Sequence, residues 1–470
     1  MKSTISFDPT RPIGRISPRL YGHFAEHLGR CCYEGLWVGR NSSIENIDGF
    51  RRDVVEALQG MVPLLRWPGG CYADHYHWRD GIGQTRPTRL GLSCGLRTVE
   101  TNELGTHEFL ALCRLIGAEP YFAGNMGSGS VQELCDWVEY CNADLATTLQ
   151  QERASNGHAA PFGVKLWGVG NENWGCGGNY DPESYALEYR RYSCMMQHVD
   201  PTIEMVACGH DTDWNRRCIE KLKHHLGFVQ HYSIHRYWIE GGAGSAFTDQ
   251  EYYHLLEEAH RTEEFIIETR AFLDEATQGR HKIGIALDEW GVWHPEARTW
   301  GPGPVAGGLH DYSQACTMRD AIATAVGLEV FHRQCNSLSL ANLAQITNVL
   351  HAPVMTDGAK MWLTPTYYVL QMHWIHMCQV AYPTMVDGNN ISATASSGGV
   401  TIINRSLTDT VRVTIDGVWG VPQILTASSP REENSADNPN RVCVSNLDVV
   451  QVGSNTEFEM PPHSVATLVS

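Results

Sequence analysis

The feature that most constrains the fold of this chain is an alternation of short β-rich apolar runs with longer amphipathic stretches, sustained to about residue 350. Strands that alternate with helices predict a parallel sheet, because each helix returns the chain to the same sheet edge. Eight such units predict a closed (β/α)₈ barrel, with an open doubly wound sheet as the rival fold. The predicted strands are 19–24, 62–67, 119–124, 164–169, 203–208, 228–234, 283–287 and 337–343.

Two of the intervening stretches carry clear helix signals. The segment VQELCDWVEYC, which starts at Val131, places apolar residues three and four positions apart, as an amphipathic helix does. A later segment starts with Asp181, a favourable N-cap residue, and has Glu183 in its first turn, where a negative charge suits the helix dipole. Both segments predict helices that separate consecutive strands.

Chemically capable side chains follow nearly every predicted strand. In a (β/α)₈ barrel the active site lies at the C-terminal ends of the strands, whatever the chemistry. Only the fifth strand is less clear, with His210 two residues beyond its end. This placement predicts one polar site on one face of the barrel. The residues concerned are Glu26, His27, Arg66, Asn125, Asn171, Glu172, His235, Tyr237, Glu289, Trp290 and Gln345.

Near residue 380 the pattern changes to short β-rich runs split by Gly, Asn and Ser, which predicts an antiparallel β-sandwich. The opening run, 3–7, has no helix between it and the first barrel strand, so we expect it to join that sandwich. The predicted division is 1–16 for the N-terminal strand, 17–378 for the catalytic barrel and 379–470 for the β-sandwich.

Charge and cysteine content limit the classes of binding partner and the cellular compartment that we expect for this protein. Acidic residues outnumber basic ones by 53 to 35, and the net charge of −18 argues against a nucleic acid or an anionic membrane as partner. No apolar run reaches the length of a bilayer span, and the N-terminus lacks the apolar segment of a signal peptide. Fifteen cysteines without a CxxC pair predict reduced thiols in a cytoplasmic protein rather than a disulfide framework.

Two glutamates suggest the chemistry. Glu172 lies in LWGVGNENW and Glu289 in IALDEWGVW, each after an apolar strand. Glycoside hydrolysis needs two carboxyl groups that flank one bond: one protonates the leaving oxygen, and the other attacks the anomeric carbon or activates water. The structural alternative for each glutamate is a surface carboxylate or a carboxylate in an ion pair. Nearby tryptophans would supply a partly apolar setting and flat faces for sugar rings, namely Trp174, Trp290 and Trp293.

Four further residues suit a sugar site, and each has a structural alternative. The Asn171 amide can bond a sugar hydroxyl next to the reacting carbon, or it can cap the turn after the strand. Arg66 can orient a catalytic carboxylate and lower its pKa, or it can form an ion pair at the barrel rim. His235 and Tyr237 can hydrogen-bond the nucleophile or the sugar, or form contacts within the rim. The glycine-rich stretches 238–247 and 301–308 are predicted to be rim loops.

Two other chemistries remain as alternatives. His75 and His77, in DHYHW, match the HxH pair of barrel metallohydrolases, although only His210 offers a further ligand nearby. A nucleophilic Cys71 would need a paired histidine that the sequence does not reveal. We therefore predict neither a metal nor a cofactor.

Seven motifs, in this order, resemble those of glycoside hydrolase family 51, which consists chiefly of α-L-arabinofuranosidases. They are YGHFAEHLGR, RWPGG…YHWRDGIG, NELGTHEF, GVGNENWG, SIHRYW, LDEWGVW and ANLAQITNVL, and the resemblance runs from about residue 18 to the end. It implies a retaining mechanism, with Glu172 as the general acid/base after the fourth strand and Glu289 as the nucleophile after the seventh. It also implies a C-terminal sandwich and a homo-oligomer, often a hexamer.

The resemblance also implies a set of sugar-binding positions. Two departures from the family pattern bear on specificity: Cys71 stands where many members have Asn, and segment 240–248 differs from the shorter loops of typical members. The positions carried over are Glu26, Arg66, Asn171, His235, Tyr237 and Gln345, to which we add Cys71 and Trp293 as rim residues near the sugar.

The expected function is therefore exo-acting hydrolysis that releases terminal arabinofuranosyl groups from arabino-oligosaccharides, arabinan or arabinoxylan fragments. A retaining mechanism predicts that the two carboxyl groups lie roughly 5 Å apart. The alternatives are an endo-acting β-1,4-glucanase or xylanase of the same family, a non-catalytic carbohydrate-binding protein, and a barrel metallohydrolase that uses His75 and His77.

Overall fold

A computed structural model describes residues 2–302 and 311–469. Eight parallel strands form a closed barrel, in which the eighth strand pairs with the first, so the predicted (β/α)₈ fold is confirmed. Much of the predicted rim loop 301–308 lies outside the described residues. In chain order the first to eighth barrel strands are Gly22–Phe24, Leu64–Trp67, Glu119–Gly124, Leu166–Val169, Glu204–Ala207, His231–Trp238, Gly284–Val292 and Leu338–Ala344.

The sixth and seventh barrel strands are longer than the apolar runs predict. They continue to Trp238 and Val292, and they pair across a register shift that sets His235 opposite Glu289. The apolar runs end earlier because polar residues of the site, His235 and Tyr237 in the sixth strand and Glu289 in the seventh, interrupt the apolar pattern. The first strand is shorter than predicted, since Pro18–Tyr21 form a 3₁₀ turn that starts with a proline after the N-cap Ser17.

Helices connect successive barrel strands, as the alternating pattern predicts. Ser130 and Asp181 cap two of them: each side-chain oxygen accepts a hydrogen bond from the backbone N–H three residues on, that of Glu133 and that of Ser184 respectively. The α-helices are Arg52–Leu58, Thr106–Ile116, Val131–Asn142, Thr148–Ser155, Pro182–Val199, Thr212–Leu222, Asp249–His260, Thr262–Thr277, Met318–Arg333 and Pro365–His373. Among the described helices, none is both long enough and apolar enough to cross a membrane.

The inside of the barrel is filled by side chains rather than forming a pore. Six buried residues from six different strands contact one another and form a separate core cluster. This layer supports the polar residues at the strand ends and excludes water from beneath them. Its members are Leu64, Tyr121, Leu166, Val206, Ala286 and Leu340.

The C-terminal part is a two-sheet β-sandwich, and the N-terminal strand joins it as predicted. That strand, Lys2–Phe7, pairs antiparallel with Thr384–Asp387 but parallel with Val411–Asp416, so the sandwich is not antiparallel throughout. We propose that the chain divides into an N-terminal segment, 1–16, the barrel, 17–378, and the sandwich, 379–470. In sheet order, the strands of the five-stranded sheet are Thr384–Asp387, Lys2–Phe7, Val411–Asp416, Asn455–Met460 and Val450–Val452. Those of the seven-stranded sheet are Gly14–Arg15, Val380–Tyr382, Ile391–Ser396, Gly399–Asn404, Ser464–Val469, Gln423–Leu425 and Ser445–Asn446.

Three fully buried histidines lie where the barrel helices meet the sandwich. His332 contacts Tyr21 and Thr394, and the His376 ring lies between two hydroxyl groups of the sandwich. Burial lowers the pKa of all three, and that of His373 falls to about 4. These rings are therefore neutral in the folded protein at neutral pH, and charging them opposes folding.

This cluster predicts a loss of stability in acid. Below the unfolded-state pKa of roughly 6.5 the unfolded chain binds protons that folded His373 does not, so the free energy of unfolding falls until about pH 4. The contribution of His373 reaches about 3 kcal/mol. Replacing His373 with Asn should flatten the dependence of unfolding free energy on pH between 6.5 and 4, measured by denaturant titration. The exposed control His260→Asn should keep the full slope, and an unchanged slope in His373→Asn would contradict the assignment.

Candidate active site

The two predicted carboxylates meet at the C-terminal end of the barrel. Glu172 follows the fourth strand and Glu289 lies in the seventh. One oxygen of each and a ring nitrogen of His235 all lie within 4.8 Å of one another. The His235 Nδ1 atom is 2.7 Å from Glu172 Oε1 and 3.6 Å from Glu289 Oε2. The two carboxyl groups therefore face one small space, close to the separation of about 5 Å that a retaining glycosidase requires.

The surroundings of Glu289 hold it as an anion. Its Oε1 accepts a hydrogen bond from Arg66 Nη1 at 2.8 Å, and its Oε2 accepts one from the Tyr237 hydroxyl at 2.6 Å. Burial alone would raise the pKa of Glu289, but the charges of His235 and Arg66 and these hydrogen bonds lower it overall. An ionised and oriented carboxylate is what a nucleophile requires.

Glu172 is held differently. Its side chain is 19% exposed, against 6% for Glu289, so it can exchange a proton with solvent more readily. Its backbone has φ of 41°, a left-handed conformation that costs a non-glycine residue about 1 kcal/mol or more. The turn that follows maintains this conformation, because the N–H groups of Gly175 and Cys176 both donate to the Glu172 carbonyl oxygen.

His235 responds to both carboxylates. Burial opposes its protonation, but the negative charge of Glu289 and the hydrogen bond with Glu172 raise the pKa of His235 above its ordinary value. His235 therefore links the two glutamates, because its ring responds to the charge of Glu289 and hydrogen-bonds Glu172.

Sequence reasoning missed the buried network that holds Arg66. Asp288 Oδ1 lies 3.8 Å from Arg66 Nε, and Asp288 accepts hydrogen bonds from the Tyr121 hydroxyl at 2.7 Å and the Asn342 amide at 2.9 Å. Arg66 Nη2 in turn donates to Asn171 Oδ1. The sequence signal for this network was the presence of a polar residue inside an apolar strand, because a buried polar group needs a hydrogen-bond partner.

Asn171, Glu26 and Gln345 lie together around the same space. Within the described part of the chain, the buried Asn171 Nδ2 has no hydrogen-bond partner, which leaves an N–H group free for a ligand. Glu26 accepts hydrogen bonds from Ser93 Oγ at 2.7 Å, Tyr72 N at 2.9 Å and Gln345 Nε2 at 3.0 Å. Burial and the nearby Glu289 raise the pKa of Glu26 to about 7.

A cleft of about 880 Å³ leads from Glu172 to the surface. Trp174 lies on its wall and stacks on His210, with ring centroids 3.8 Å apart. Trp293 also lines it and contacts Tyr237 edge-on, at 4.8 Å. The expectation for Trp290 is wrong: its ring is fully buried against Phe331 and presents no face to a sugar, because the seventh strand turns alternate residues away from the site.

The prediction of reduced thiols is wrong at Cys71, which forms a disulfide with Cys176. The two residues are 105 positions apart, and the loops that carry them meet because the second and fourth strands flank the third strand in the sheet. Cys71 lines the cleft, but its sulfur, held in the disulfide, has no hydrogen to donate to a sugar. Both cysteines lie just after barrel strands, and that shared placement was a signal of their proximity.

The arrangement does not support the metallohydrolase alternative. His77 Nδ1 is 2.8 Å from Glu133 Oε1, and His75 is exposed. Over residues 2–302 and 311–469, neither histidine belongs to a cluster with metal-ligand spacing.

Arg66 offers a direct test of the electrostatics of the site. Replacing it with Lys removes the paired contacts to Glu289 and Asn171, and we expect kcat/KM to fall by about 10²-fold or more. Because Arg66 lowers the pKa of Glu289, the acidic limb of the kcat/KM profile should move to higher pH. The exposed Arg79→Lys is the matched control, and an unshifted acidic limb in Arg66→Lys would exclude this role.

A closed (β/α)₈ barrel with two facing glutamates at its C-terminal end and a tryptophan-lined cleft defines the class of protein as a glycoside hydrolase. Models of two arabinofuranosidase domains match the chain: "Alpha-L-arabinofuranosidase 1 domain" at residues 57–254 and "Alpha-L-arabinofuranosidase C-terminal domain" at residues 288–464. An intracellular exo-alpha-L-arabinofuranosidase of Bacteroides ovatus is 39% identical, and the match covers 96% of this chain and 92% of that protein.

Two solved structures agree over the full length. The family 51 arabinofuranosidase of Xanthomonas axonopodis pv. citri is 32% identical with a TM-score of 0.91, covering 100% of this chain and 99% of that one. The α-L-arabinofuranosidase of Thermotoga maritima, in an arabinose complex, is 30% identical with a TM-score of 0.89 and covers 100% of both chains. The chain therefore belongs to glycoside hydrolase family 51.

Proposed function

We propose that this enzyme is an exo-acting α-L-arabinofuranosidase that releases terminal arabinofuranosyl groups with retention of configuration. The observation that carries the mechanism is the approach of the Glu172 and Glu289 carboxyl oxygens to within 4.8 Å, which leaves no room for the water of an inverting mechanism. Its natural substrates are arabino-oligosaccharides, arabinan fragments or arabinoxylan fragments.

The reaction proceeds in two steps. Glu172 donates its proton to the glycosidic oxygen while Glu289 attacks the anomeric carbon, so the bond to the leaving group breaks and a glycosyl ester forms. Glu172, now ionised, takes a proton from water as that water attacks the same carbon and releases Glu289. The second displacement restores the original configuration and the protonation state of both carboxyl groups.

The remaining site residues orient these groups and the sugar. Arg66 and Tyr237 hold Glu289 through its two oxygens, which keeps one lone pair aimed at the sugar. The free N–H of Asn171 is available to the hydroxyl next to the reacting carbon. Glu26, joined to Gln345, takes other hydroxyl groups, and His235 relays a proton to Glu172. Cys71 and Trp293 bound the pocket.

A stereochemical assay tests the proposal. Wild-type enzyme should hydrolyse 4-nitrophenyl α-L-arabinofuranoside, and proton NMR at early times should detect α-arabinofuranose before it mutarotates. EDTA should have no effect. Initial formation of the β-anomer would exclude double displacement, and turnover of 4-nitrophenyl β-cellobioside or β-xylobioside alone would favour the endo-acting alternative.

The proposals for exo action, cellular compartment and oligomeric state are supported by related proteins. The Bacteroides ovatus relative is named as intracellular and exo-acting, which supports exo cleavage and a cytoplasmic location here. We also propose a homo-oligomer, in keeping with the family resemblance, and a hexamer as the form to test. Light scattering after size-exclusion chromatography measures the mass directly, and a mass equal to that of one 52.4 kDa chain would exclude a homo-oligomer.

A further inference from the structure

Three sulfur atoms lie beside the proposed acid/base. Cys176 Sγ is 3.5 Å from Glu172 Oε2, and Cys94 Sγ is 3.7 Å from Cys71 Sγ. Cys71, Cys94 and Glu172 all line the same cleft. The proposed hydrolytic mechanism uses none of these sulfurs, so their arrangement calls for a separate explanation.

Three separate parts of the fold bring the sulfurs together. Cys71 follows the second barrel strand, and Cys176 lies in the turn that holds the backbone of Glu172. Cys94 lies at the tip of the hairpin formed by Arg89–Ser93 and Leu96–Glu100, where its carbonyl oxygen accepts a hydrogen bond from Tyr312. Each residue is thus held by barrel or hairpin contacts that do not depend on the disulfide.

We propose that these groups form a binding site for a thiophilic divalent cation such as Zn²⁺ or Cd²⁺, which opens when the Cys71–Cys176 disulfide is reduced. The ligands are the sulfurs of Cys71, Cys176 and Cys94 and the carboxylate of Glu172. Thiolates select soft cations, and one carboxylate oxygen completes a tetrahedral set of four.

The observed spacings fit such a cation. Zn–S bonds of about 2.3 Å place tetrahedral sulfur ligands about 3.8 Å apart, and a carboxylate oxygen about 3.6 Å from a sulfur. The Cys94–Cys71 and Cys176–Glu172 distances of 3.7 and 3.5 Å already match these two edges. One oxygen or sulfur atom each from Cys71, Glu172 and Cys176 lies within 4.8 Å of the others. On reduction, Cys71 and Cys176 need to separate, and Cys94, which lies outside this group of three, needs to move closer to Cys176 and Glu172.

The opening step balances with a dithiol as the reductant. One thiolate of the dithiol attacks a sulfur of the disulfide, which forms a mixed disulfide and releases the other cysteine. The second thiolate of the dithiol then attacks this mixed disulfide and releases the remaining cysteine. The two electrons and two protons pass to Cys71 and Cys176, and the dithiol becomes a cyclic disulfide. Binding of the cation then displaces the thiol protons.

Occupation of this site would stop hydrolysis, a consequence that rests on the proposed function. A cation bound by Glu172 removes the carboxyl group that protonates the leaving oxygen and later activates water. The enzyme would therefore be active when oxidised, and sensitive to zinc when reduced.

The experiment compares oxidised enzyme with enzyme reduced by a water-soluble phosphine and desalted without oxygen. Cd²⁺ titration should produce the ultraviolet charge-transfer absorption of Cd–thiolate bonds in the reduced protein only, saturating at one ion per chain. Zn²⁺ should inhibit the reduced enzyme at concentrations at least about tenfold lower than the oxidised enzyme. Cys176→Ser and Cys94→Ser should each weaken the absorption, whereas the exposed Cys443→Ser should leave it unchanged.

Several outcomes would overturn the proposal. Equal zinc inhibition of both redox forms would assign the cation to the sulfur-free group of Glu172, His235 and Glu289. Absence of the Cd–thiolate absorption after reduction, or its persistence at full strength in both Cys176→Ser and Cys94→Ser, would exclude the site. The absorption is measured without substrate, so it tests the site even if the chain hydrolyses no arabinofuranoside.

Discussion

Replacement of Glu289 with Ala should reduce kcat on 4-nitrophenyl α-L-arabinofuranoside by about 10⁴-fold or more, because no glycosyl ester can form. The protein should stay folded, since the strand backbone is unaltered and the buried Arg66 keeps the carboxylate of Asp288 at 3.8 Å. Added azide fills the space left by the carboxylate and attacks from the same face. The product should be the azide of inverted configuration, identified by NMR.

The exposed Glu275→Ala is the matched control for Glu289→Ala and should keep wild-type kcat. An azide product of retained configuration from Glu289→Ala, or kcat within about tenfold of wild type, would remove Glu289 from the nucleophile role.

Replacement of Glu172 with Ala should have the second-largest effect, and one that depends on the leaving group. 4-Nitrophenolate departs without protonation, so the glycosyl ester still forms. Hydrolysis of this ester then becomes the rate-limiting step. We expect kcat to fall by about 10²- to 10⁴-fold, with KM falling as the ester accumulates. Arabino-oligosaccharides, whose leaving alcohols need a proton, should lose more in kcat/KM than the nitrophenyl substrate.

Azide again identifies the role. With Glu172→Ala it should accelerate turnover and give the azide of retained configuration, because it attacks the preformed ester in place of activated water. Equal losses on nitrophenyl and natural substrates, without azide rescue, would show that Glu172 does not transfer a proton.

The two variants together assign both roles by stereochemistry alone. Rescue with opposite configurations distinguishes an attacking carboxylate from a proton-transferring one, whatever the absolute rates. The difference in exposure of the two side chains, 19% for Glu172 and 6% for Glu289, agrees with the proposed assignment.

Much of this could be predicted from local sequence. Apolar runs of strand length alternating with amphipathic helices determine a parallel barrel, because each element must bury its apolar face against the next. In such a barrel the residues after each strand share one face, so Glu172, Arg66 and Gln345 could be predicted to lie together. The cap at Asp181 could be predicted as well, since its contacts lie within one turn.

Other features depend on contacts between distant parts of the chain, which local sequence does not contain. Tyr121, Asp288 and Asn342 come from three strands, and only their register joins them beneath Arg66. Trp290 follows Glu289 directly but points to the opposite face, because side chains alternate along a strand.

The sequence by itself determined the barrel, the sandwich and the two glutamates, because these follow from periodicity and from the end of each strand. Only the tertiary structure decided which polar groups pair with which carboxylate, and so which pKa values move and in which direction. The same holds for Cys71 and Cys176: a disulfide requires two sulfurs in contact, and the pairing of the second and fourth strands with the third supplies that contact across 105 residues.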